Sequence, residues 1–435
     1  VCSSDLTFGT STPAGDDEDG VVLSTPMIPG AQACFVVNAM NMTGSSAVLQ
    51  AWVDWDGNGS FGVGEQLNTG SFAPSGATVP AGGLTNAQLC FSVPSNAVFA
   101  SGNAFVRFRL SPLGGLSANS QTAPVPFGEI EDYKFTLAKV GNYVWEDVDG
   151  NGQQNEAGST GLNGVTVQLL YYGLDGVAGG TGANADVPYT TVTAVNGGTN
   201  GYYYFCGLIP GNYTMSIPTL PTNFVSTAPN VGSDVTDSEN PAGTAFTITD
   251  PAGQPTGENG PGDAPNVVGG FPDNQNNQTI DFGLLVLAEL GNYTWVDLNE
   301  NGLQDGGDLP LGGVTVMLMG TDNLGNPVTL TTTTAADGSY LFDDLWPGTY
   351  AVMFNFSTVT TPSQLAGFGQ YLQFTLSNQG TNDAIDSDAN PNTGKTGNYN
   401  LVSQSSEMTV DAGAIVPCLP PTNLTASMIM LNTAT

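Results

Sequence analysis

The stretch Gly141–Gly152, GNYVWEDVDGNG, returns at Gly291–Gly302 as GNYTWVDLNENG, and a related copy precedes both at Trp52–Glu65, WVDWDGNGSFGVGE. Around each Trp, apolar and polar residues alternate, the period-2 pattern of a half-buried strand. The text then changes to Asp, Asn and Gly, residues that favour turns because they tolerate positive φ or hydrogen-bond their own backbone. A strand driven into a forced turn, three times over, points to an all-β chain. Alternate oxygen-bearing side chains around such a turn suit a hard cation such as Ca2+, which takes six to eight oxygen ligands. The flanks read as strands, so these are not EF-hands, which need a helix on each side.

The first copy fits the twelve-residue calcium-loop pattern throughout, with Asp54, Asp56, Asn58, Ser60 and Glu65 at the ligand positions. The second supplies Asp147, Asp149, Asn151 and Gln153, but its acid, Glu156, falls two residues early and Gly158 takes the twelfth place. The third supplies Asp297, Asn299, Asn301, Leu303, Asp305 and, at the twelfth position, Asp308. Ordinary solvated turns use the same residue types; the threefold recurrence behind a Trp favours cation loops.

Five Lys and Arg against 39 Asp and Glu give the 435 residues a formal charge of −34. Such a chain repels nucleic acid and anionic membrane surfaces, so neither is expected as a partner. Bound divalent cations would also relieve its self-repulsion. There is no His, which removes Ser-His-Asp and Cys-His catalysis and the commonest zinc ligand. The five Cys form no C-x-x-C motif. Cys34 and Cys90 lie on strand-like runs where they either pair in an oxidising compartment or stay as buried thiols, and Cys206 reads as a small core residue. No run reaches the roughly 18 apolar residues of a membrane span, so direct membrane insertion is not expected. An enzyme is not expected either: the carboxylate pairs that could run glycoside hydrolysis are better explained as metal loops.

Helical periodicity is almost absent, and short runs rich in Val, Thr, Tyr and Phe alternate with Gly, Pro, Asn and Asp turns. Residues 1–15 read as a linker or an artefactual start, Val1–Leu6 resembling a translated adapter, and the chain is expected to be a piece of a longer one. A first domain spans 16–138, from DDEDGV to GEIEDY. In that closing motif Glu129, Glu131 and Asp132 either add carboxylates to the Asp54 loop or pair with Arg107 and Arg109. A second domain spans 139–287 and a third 288–416. These two share the frame G-x-Y-x-F-x-x-L-x-P-G-x-Y, at Gly201–Tyr213 and Gly338–Tyr350, whose alternating aromatics are expected to face one core. Asn200-Gly201 and Asp337-Gly338 are the expected hairpin turns. Each of the two domains has a second acidic stretch, Asp234, Asp237 and Glu239 in one, Asp383, Asp386 and Asp388 in the other.

DDEDGV, WVDWDGNGSF, RFRLS and GEIEDY, in that order, resemble the GEVED domain. GNYVWEDVDGNG with GLIPGNY, and GNYTWVDLNENG with DLWPGTY and DSDANP, resemble the B-type domains of serine–aspartate-repeat adhesins, relatives of the collagen-adhesin B fold. Residues 417–435, PCLPPTNLTAS onward, are similar to the start of a fibronectin type III domain. The resemblance implies tandem β-sandwiches, immunoglobulin-like or prealbumin-like, in series, with both acidic stretches of each B-type domain as calcium ligands. It implies a secreted, calcium-stiffened structural stalk of a bacterial cell-surface adhesin, facing an unknown host, matrix or neighbouring-cell ligand. A glycan- or protein-binding module using Tyr171, Tyr172 and Tyr202–Tyr204 is the alternative, and an accessory region of a secreted enzyme is a weaker one. Members of the collagen-adhesin B fold often carry a Lys–Asn cross-link; none is expected here, since Lys395 comes late in its domain and Lys139 stands at a domain edge.

Overall fold

The computed structural model describes residues 6–8, 20–118, 129–156, 160–256 and 271–417. The fibronectin-like start expected in 417–435 lies outside the described residues beyond 417, as does the linker 1–15 apart from 6–8. The fold is all-β; the helical elements among the described residues are three-residue 3-10 turns. The chain forms two compact units. One comprises Val1–Trp145, Ala157–Leu220 and Gly232–Phe282, the other Glu146–Glu156, Pro221–Val231 and Gly283–Thr435.

In the first unit the N-terminal sandwich sets two antiparallel arrangements face to face. In one, Gln32–Asn41 pairs with Val21–Leu23 and with Leu84–Ser92; in the other the order is Ala77–Val79, Ala47–Val53, Asn103–Ser111, Glu129–Thr136. Alternation aims every second side chain inward, so Phe35 of one sheet meets Phe108 of the other edge-to-face at 5.1 Å and stacks on Phe91 at 4.9 Å. Burying rings of this size supplies about 2–3 kcal/mol each. Cys34 and Cys90 face each other across two paired strands and form a disulfide.

The same unit holds the sheet ordered Val187–Val192, Thr166–Tyr171, Gly211–Ser216, Thr244–Ile248. Here the expected turn moves. Asn196 pairs with Thr199, so the two-residue loop is Gly197-Gly198, at φ 60° and 93°, and Gly201 lies within a strand. The loop needs positive φ at both positions, which Gly-Gly meets more easily than Asn-Gly.

The second unit contains residues 288–415 as two sheets. One is ordered Pro327–Thr333, Thr315–Asp322, Gly348–Asn355, Tyr399–Leu401. The other gathers Leu309–Pro310, Ser339–Leu345, Ser406–Glu407 and Ala412–Ile415 around Ala288–Val296, with Gln373–Phe374 beyond. Between them lie Leu290, Val316, Leu318, Tyr340, Phe342 and Phe354. Pro327 opens an edge strand, where its missing N–H leaves no ladder acceptor unpaired. Asp337-Gly338 does turn the chain, but the strands it joins belong to different sheets.

The repeated aromatic frame faces the cores as its alternation requires. Tyr203, Phe205 and Tyr213 are buried, as are Tyr340, Phe342 and Tyr350. Each buried phenol finds a carbonyl: Tyr203 donates to Ile280 and Tyr340 to Val410, while Tyr213 and Tyr350 donate to Ile209 and Trp346, four residues back. Tyr340→Phe leaves the buried Val410 carbonyl without its donor and is expected to destabilise the third domain by about 1–2 kcal/mol. Urea denaturation followed by near-UV dichroism measures this; a midpoint equal to wild type would show that the hydroxyl contributes nothing.

Candidate metal centres

Each acidic loop is wound around its first Asp. Asp54 is 3 % exposed, and its two carboxylate oxygens accept the N–H groups of Asn58 at 3.1 Å and Gly59 at 2.8 Å. Asp147 accepts those of Gly150, Asn151 and Gly152, at 2.8, 3.2 and 2.8 Å. Asp297 accepts those of Asn301 at 3.3 Å and Gly302 at 2.8 Å. A hydroxyl from the residue just after another strand completes two of these sites: Thr227 donates to Asp147 and Thr375 to Asp297. The glycine at the sixth position holds φ 79° in all three loops, a conformation that lets its N–H turn inward and that glycine adopts without a Cβ penalty.

The closing acid also has a constant part. Glu65 accepts the N–H of Trp55 at 2.8 Å and Asp308 that of Leu298 at 3.0 Å. Glu156, two residues early in sequence, accepts the N–H of Val148 at 3.2 Å. The shorter loop therefore closes on the same backbone group, the one directly after its first Asp.

Among the described residues four groups of acids bring ligand oxygens within 4.8 Å of one another: Asp54, Asp56 and Glu65; Asp147, Asp149 and Glu156; Asp234, Asp237 and Glu239; Asp383, Asp386 and Asp388. The third loop is not among them. There the Asp305 carboxylate accepts the side-chain amides of Asn299 at 2.8 Å and Asn301 at 2.7 Å, and those bonds hold it below the usual carboxylate range. Asn299 stands where the other loops have Asp56 and Asp149, so this loop lacks a carboxylate at its third position. Ser60, Gln153 and Leu303 follow Asn58, Asn151 and Asn301, and each donates its backbone N–H to the preceding Asn side chain. The third loop also meets the second acidic stretch of its domain, through a bridge between Leu303 and Asp386 and a bond from Gln304 N–H to the Ile385 carbonyl.

Burial without neutralisation marks three of these groups, those of Asp147, Asp234 and Asp383. Burial pushes Glu239 up to about 9, with the charges of Asp237 and Asp234 adding to it. Asp388 rises to about 7 by burial and by Asp383 and Asp386. Glu156 rises to about 7 by burial and by Asp147; Asp149, Asp237 and Asp386 shift the same way for the same reasons. One oxygen each of Glu156, Asp237 and Asp386 is buried with no hydrogen-bond partner among the described residues. Orphaned buried oxygens in groups of like charge fit a hard cation, which supplies the missing partner and reverses the repulsion. When bound, it would be held by these carboxylates as a structural tie.

Two residues escaped the sequence reading. Glu239 and Asp388 accept the backbone N–H of Asp281 and Asp411. Those two carboxylates in turn accept the N–H of Tyr143 at 2.9 Å and Tyr293 at 3.0 Å. Both are fully buried, and Asp411 is pushed up to about 9 by burial and by the charge of Asp388. The signal was present: TIDFG and TVDAG align when the two domains are overlaid. In the first domain one acid of the closing motif pairs with a cation of its own chain. Asp132 pairs with Arg107 at 2.6 Å, and Glu131 accepts the Tyr133 hydroxyl; the Glu129 side chain lies outside the described residues. Lys139 is buried rather than peripheral, its amine donating to the Tyr202 hydroxyl at 2.9 Å.

Comparison with known proteins accounts for this repetition. The profile of the SdrD B-like domain matches residues 138–260 and 288–414, more than half of the chain. The chain belongs to the SdrD B-like domain family. The GEVED domain matches residues 48–136, ahead of the two SdrD B-like segments. Serine-aspartate repeat-containing protein F of Staphylococcus epidermidis is 31 % identical over 275 residues, 63 % of this chain and 12 % of that protein. Serine-aspartate repeat-containing protein D of Staphylococcus aureus strain Newman is 30 % identical over 280 residues, 64 % of this chain and 17 % of that protein. The SdrD B-like chain thus spans between 12 % and 17 % of the length of these relatives. Among solved structures, a streptococcal ancillary pilin aligns over 86 % of this chain and 92 % of its own, at 13 % identity and a TM-score of 0.25. The Bacillus anthracis TIE protein aligns over 95 % and 56 %, at 10 % identity and a TM-score of 0.23. Scores this low carry no argument about function.

Proposed function

We propose that this chain is a structural stalk segment of a large, secreted bacterial cell-surface protein, non-enzymatic and stiffened by calcium. It divides into three β-sandwich domains, 16–138, 139–287 and 288–416. The observation that carries the reading is the set of four acid clusters, two of them on loops wound around a buried Asp, with an orphaned oxygen in three of the four. The relatives are serine-aspartate repeat-containing proteins, which agrees with a surface location. No helix among the described residues is long and apolar enough to cross a membrane. The ligand sets are those named above, with Asp281 and Asp411 holding Glu239 and Asp388 in place. Extracellular modules bind calcium with Kd of about 10⁻⁴–10⁻³ M, so such sites fill outside cells and stay empty within.

The binding-module alternative loses most of its residues. Tyr171, Tyr202 and Tyr203 are buried, and of that set Tyr204 alone is well exposed, at 41 %. The test of the stalk reading is thermal melting with calcium and with chelator. A ligand bound only by the folded form stabilises by about 2.7 kcal/mol at a hundredfold excess over Kd, so Tm is expected to fall on chelation, with faster proteolysis inside the acidic loops. Superimposable curves would reduce the loops to turns.

A further inference from the structure

The second acidic loop has two sides. Its N–H groups turn inward to Asp147, as described. Its carbonyls turn outward, and residues of the third domain meet three of them in succession. Ser403 N–H donates to Val148 O at 2.7 Å, the Asn323 side-chain amide to Asp149 O at 2.6 Å, and the Trp346 indole N–H to Gly150 O at 2.8 Å. Alongside, Ser403 Oγ and Gln404 Nε2 both donate to Glu146 at 2.7 Å, and Gln404 N–H donates to Val286 O at 3.1 Å. All of these residues belong to one compact unit, the second, although 146–156 fall within the first SdrD B-like match.

The residue at the fourth loop position fits this contact. Gly150 has φ 70°, and a Cβ there would stand 2.8 Å from Pro347 Cγ and 2.9 Å from Trp346 Nε1. The matching residue of the third loop is Glu300, which adopts φ 61° in the open. The third loop has the same backbone frame, yet Leu298–Asn301 are exposed, whereas Val148–Asn151 are buried or half-buried. Glycine thus stands where a neighbouring segment closes on the loop, Pro347 and Trp346 over Gly150 and Ala100 over Gly57, and a long side chain is tolerated where the described residues place nothing. The docking turn is itself a variant of the repeated frame: Leu345-Trp346-Pro347-Gly348 replaces Leu208-Ile209-Pro210-Gly211, and the replacement supplies the indole donor.

We propose that the outward carbonyl face of the Asp147 loop is a docking face for the Leu-Trp-Pro-Gly turn of the following domain, and that a cation on the inner face of the same loop sets how firmly that joint holds. The first half stands on the hydrogen bonds alone; the second rests on the cation reading proposed above. Inner and outer faces share two peptide groups, Asp149–Gly150 and Gly150–Asn151, so fixing their N–H groups on one side fixes their carbonyl directions on the other.

Amide hydrogen exchange on the full chain, with calcium or with chelator, separates the two halves. The Ser403 amide reports the joint, the Gly152 amide reports the loop interior, and amides of Thr315–Asp322 report whether the third domain is folded. In chelator, Trp346→Ala and the milder Asn323→Ala are expected to speed exchange at Ser403, the former on the order of tenfold, with Thr315–Asp322 unchanged. An unchanged Ser403 amide in both variants would overturn the docking face. Calcium at about 1 mM is expected to slow Gly152 in wild type and in Trp346→Ala, but Ser403 in wild type alone. Protection of Gly152 without any effect on wild-type Ser403 would overturn the coupling. Failure of calcium to slow Gly152 in either protein would sink the cation reading while leaving the docking face to stand on the chelator data.

Discussion

Asp297→Ala is expected to destabilise the third domain by about 3–5 kcal/mol, most of it before any cation is added. The carboxylate is 2 % exposed and accepts two backbone N–H groups and the Thr375 hydroxyl. Alanine leaves those donors facing a small void. An unsatisfied buried donor costs about 1–3 kcal/mol, and three are involved. The loop would lose its winding, and with it the bridge from Leu303 to Asp386 that ties the two acidic stretches. Asp305 is the control. Its carboxylate is exposed and bonded to two exposed asparagine side chains, so Asp305→Ala is expected to leave the chelator melting curve where it is. Urea denaturation of both variants in chelator decides the matter. If Asp297→Ala unfolds at the wild-type midpoint there and differs only in calcium, the carboxylate is a ligand and nothing more, and the winding is independent of it.

The fold was legible in the sequence because two signals with separate physical causes agreed. Period-2 alternation placed Tyr203, Phe205, Tyr340 and Phe342 on core faces, and the structure buries all four. The frame of a first Asp with Asn-Gly four and five residues on set the loop positions, because it puts that carboxylate under the two N–H groups. What was not legible depended on pairing between distant segments. Asn200-Gly201 looked like a turn, but strand register chose Gly197-Gly198. Asp281 and Asp411 sit in strand text that marks them only when the two domains are overlaid, and it is the parallel approach of first and last strands, such as Thr294 beside Ala412, that brings such carboxylates to Tyr143 and Tyr293. Glu156 looked misplaced when counted along the chain, and falls into place when judged by the N–H it accepts. The Trp346 contact was invisible for the same reason: Gly150 and Glu300 are both plausible turn residues, and the difference between them is what stands above the loop.

The stability of the cation-free protein is expected to fall as pH rises from about 4.5 to about 9, and calcium is expected to flatten that slope. Glu239 and Asp411 are held up at about 9, and Asp388 and Glu156 at about 7, by burial and neighbouring carboxylates. In the unfolded chain the same groups titrate near 4. Between the two values the folded protein binds more protons than the unfolded one, so stability decreases with pH, by about 1.4 kcal/mol per pH unit for each extra proton held. Asp388 and Glu156 act up to about pH 7; above that Glu239 and Asp411 carry the remaining loss. Most carboxylates in ion pairs behave in the opposite way, with depressed values and a loss of stability in acid. A protein with 39 acids and five bases has few such pairs to offset the trend. Lys139 works against it over a narrower range. Burial lowers its amine to about 8, so its contribution to stability rises with pH between about 8 and the unfolded value near 10.5. The cation acts on the same carboxylates from the other direction, because a bound divalent ion favours their charged form and replaces the proton. Tm measured from pH 5 to 9 in chelator should therefore slope downward, and the calcium curve should separate from it progressively, with the gap widest at pH 9. Parallel curves, or a chelator curve that rises with pH, would mean that the buried carboxylates are already neutralised by groups of the chain itself.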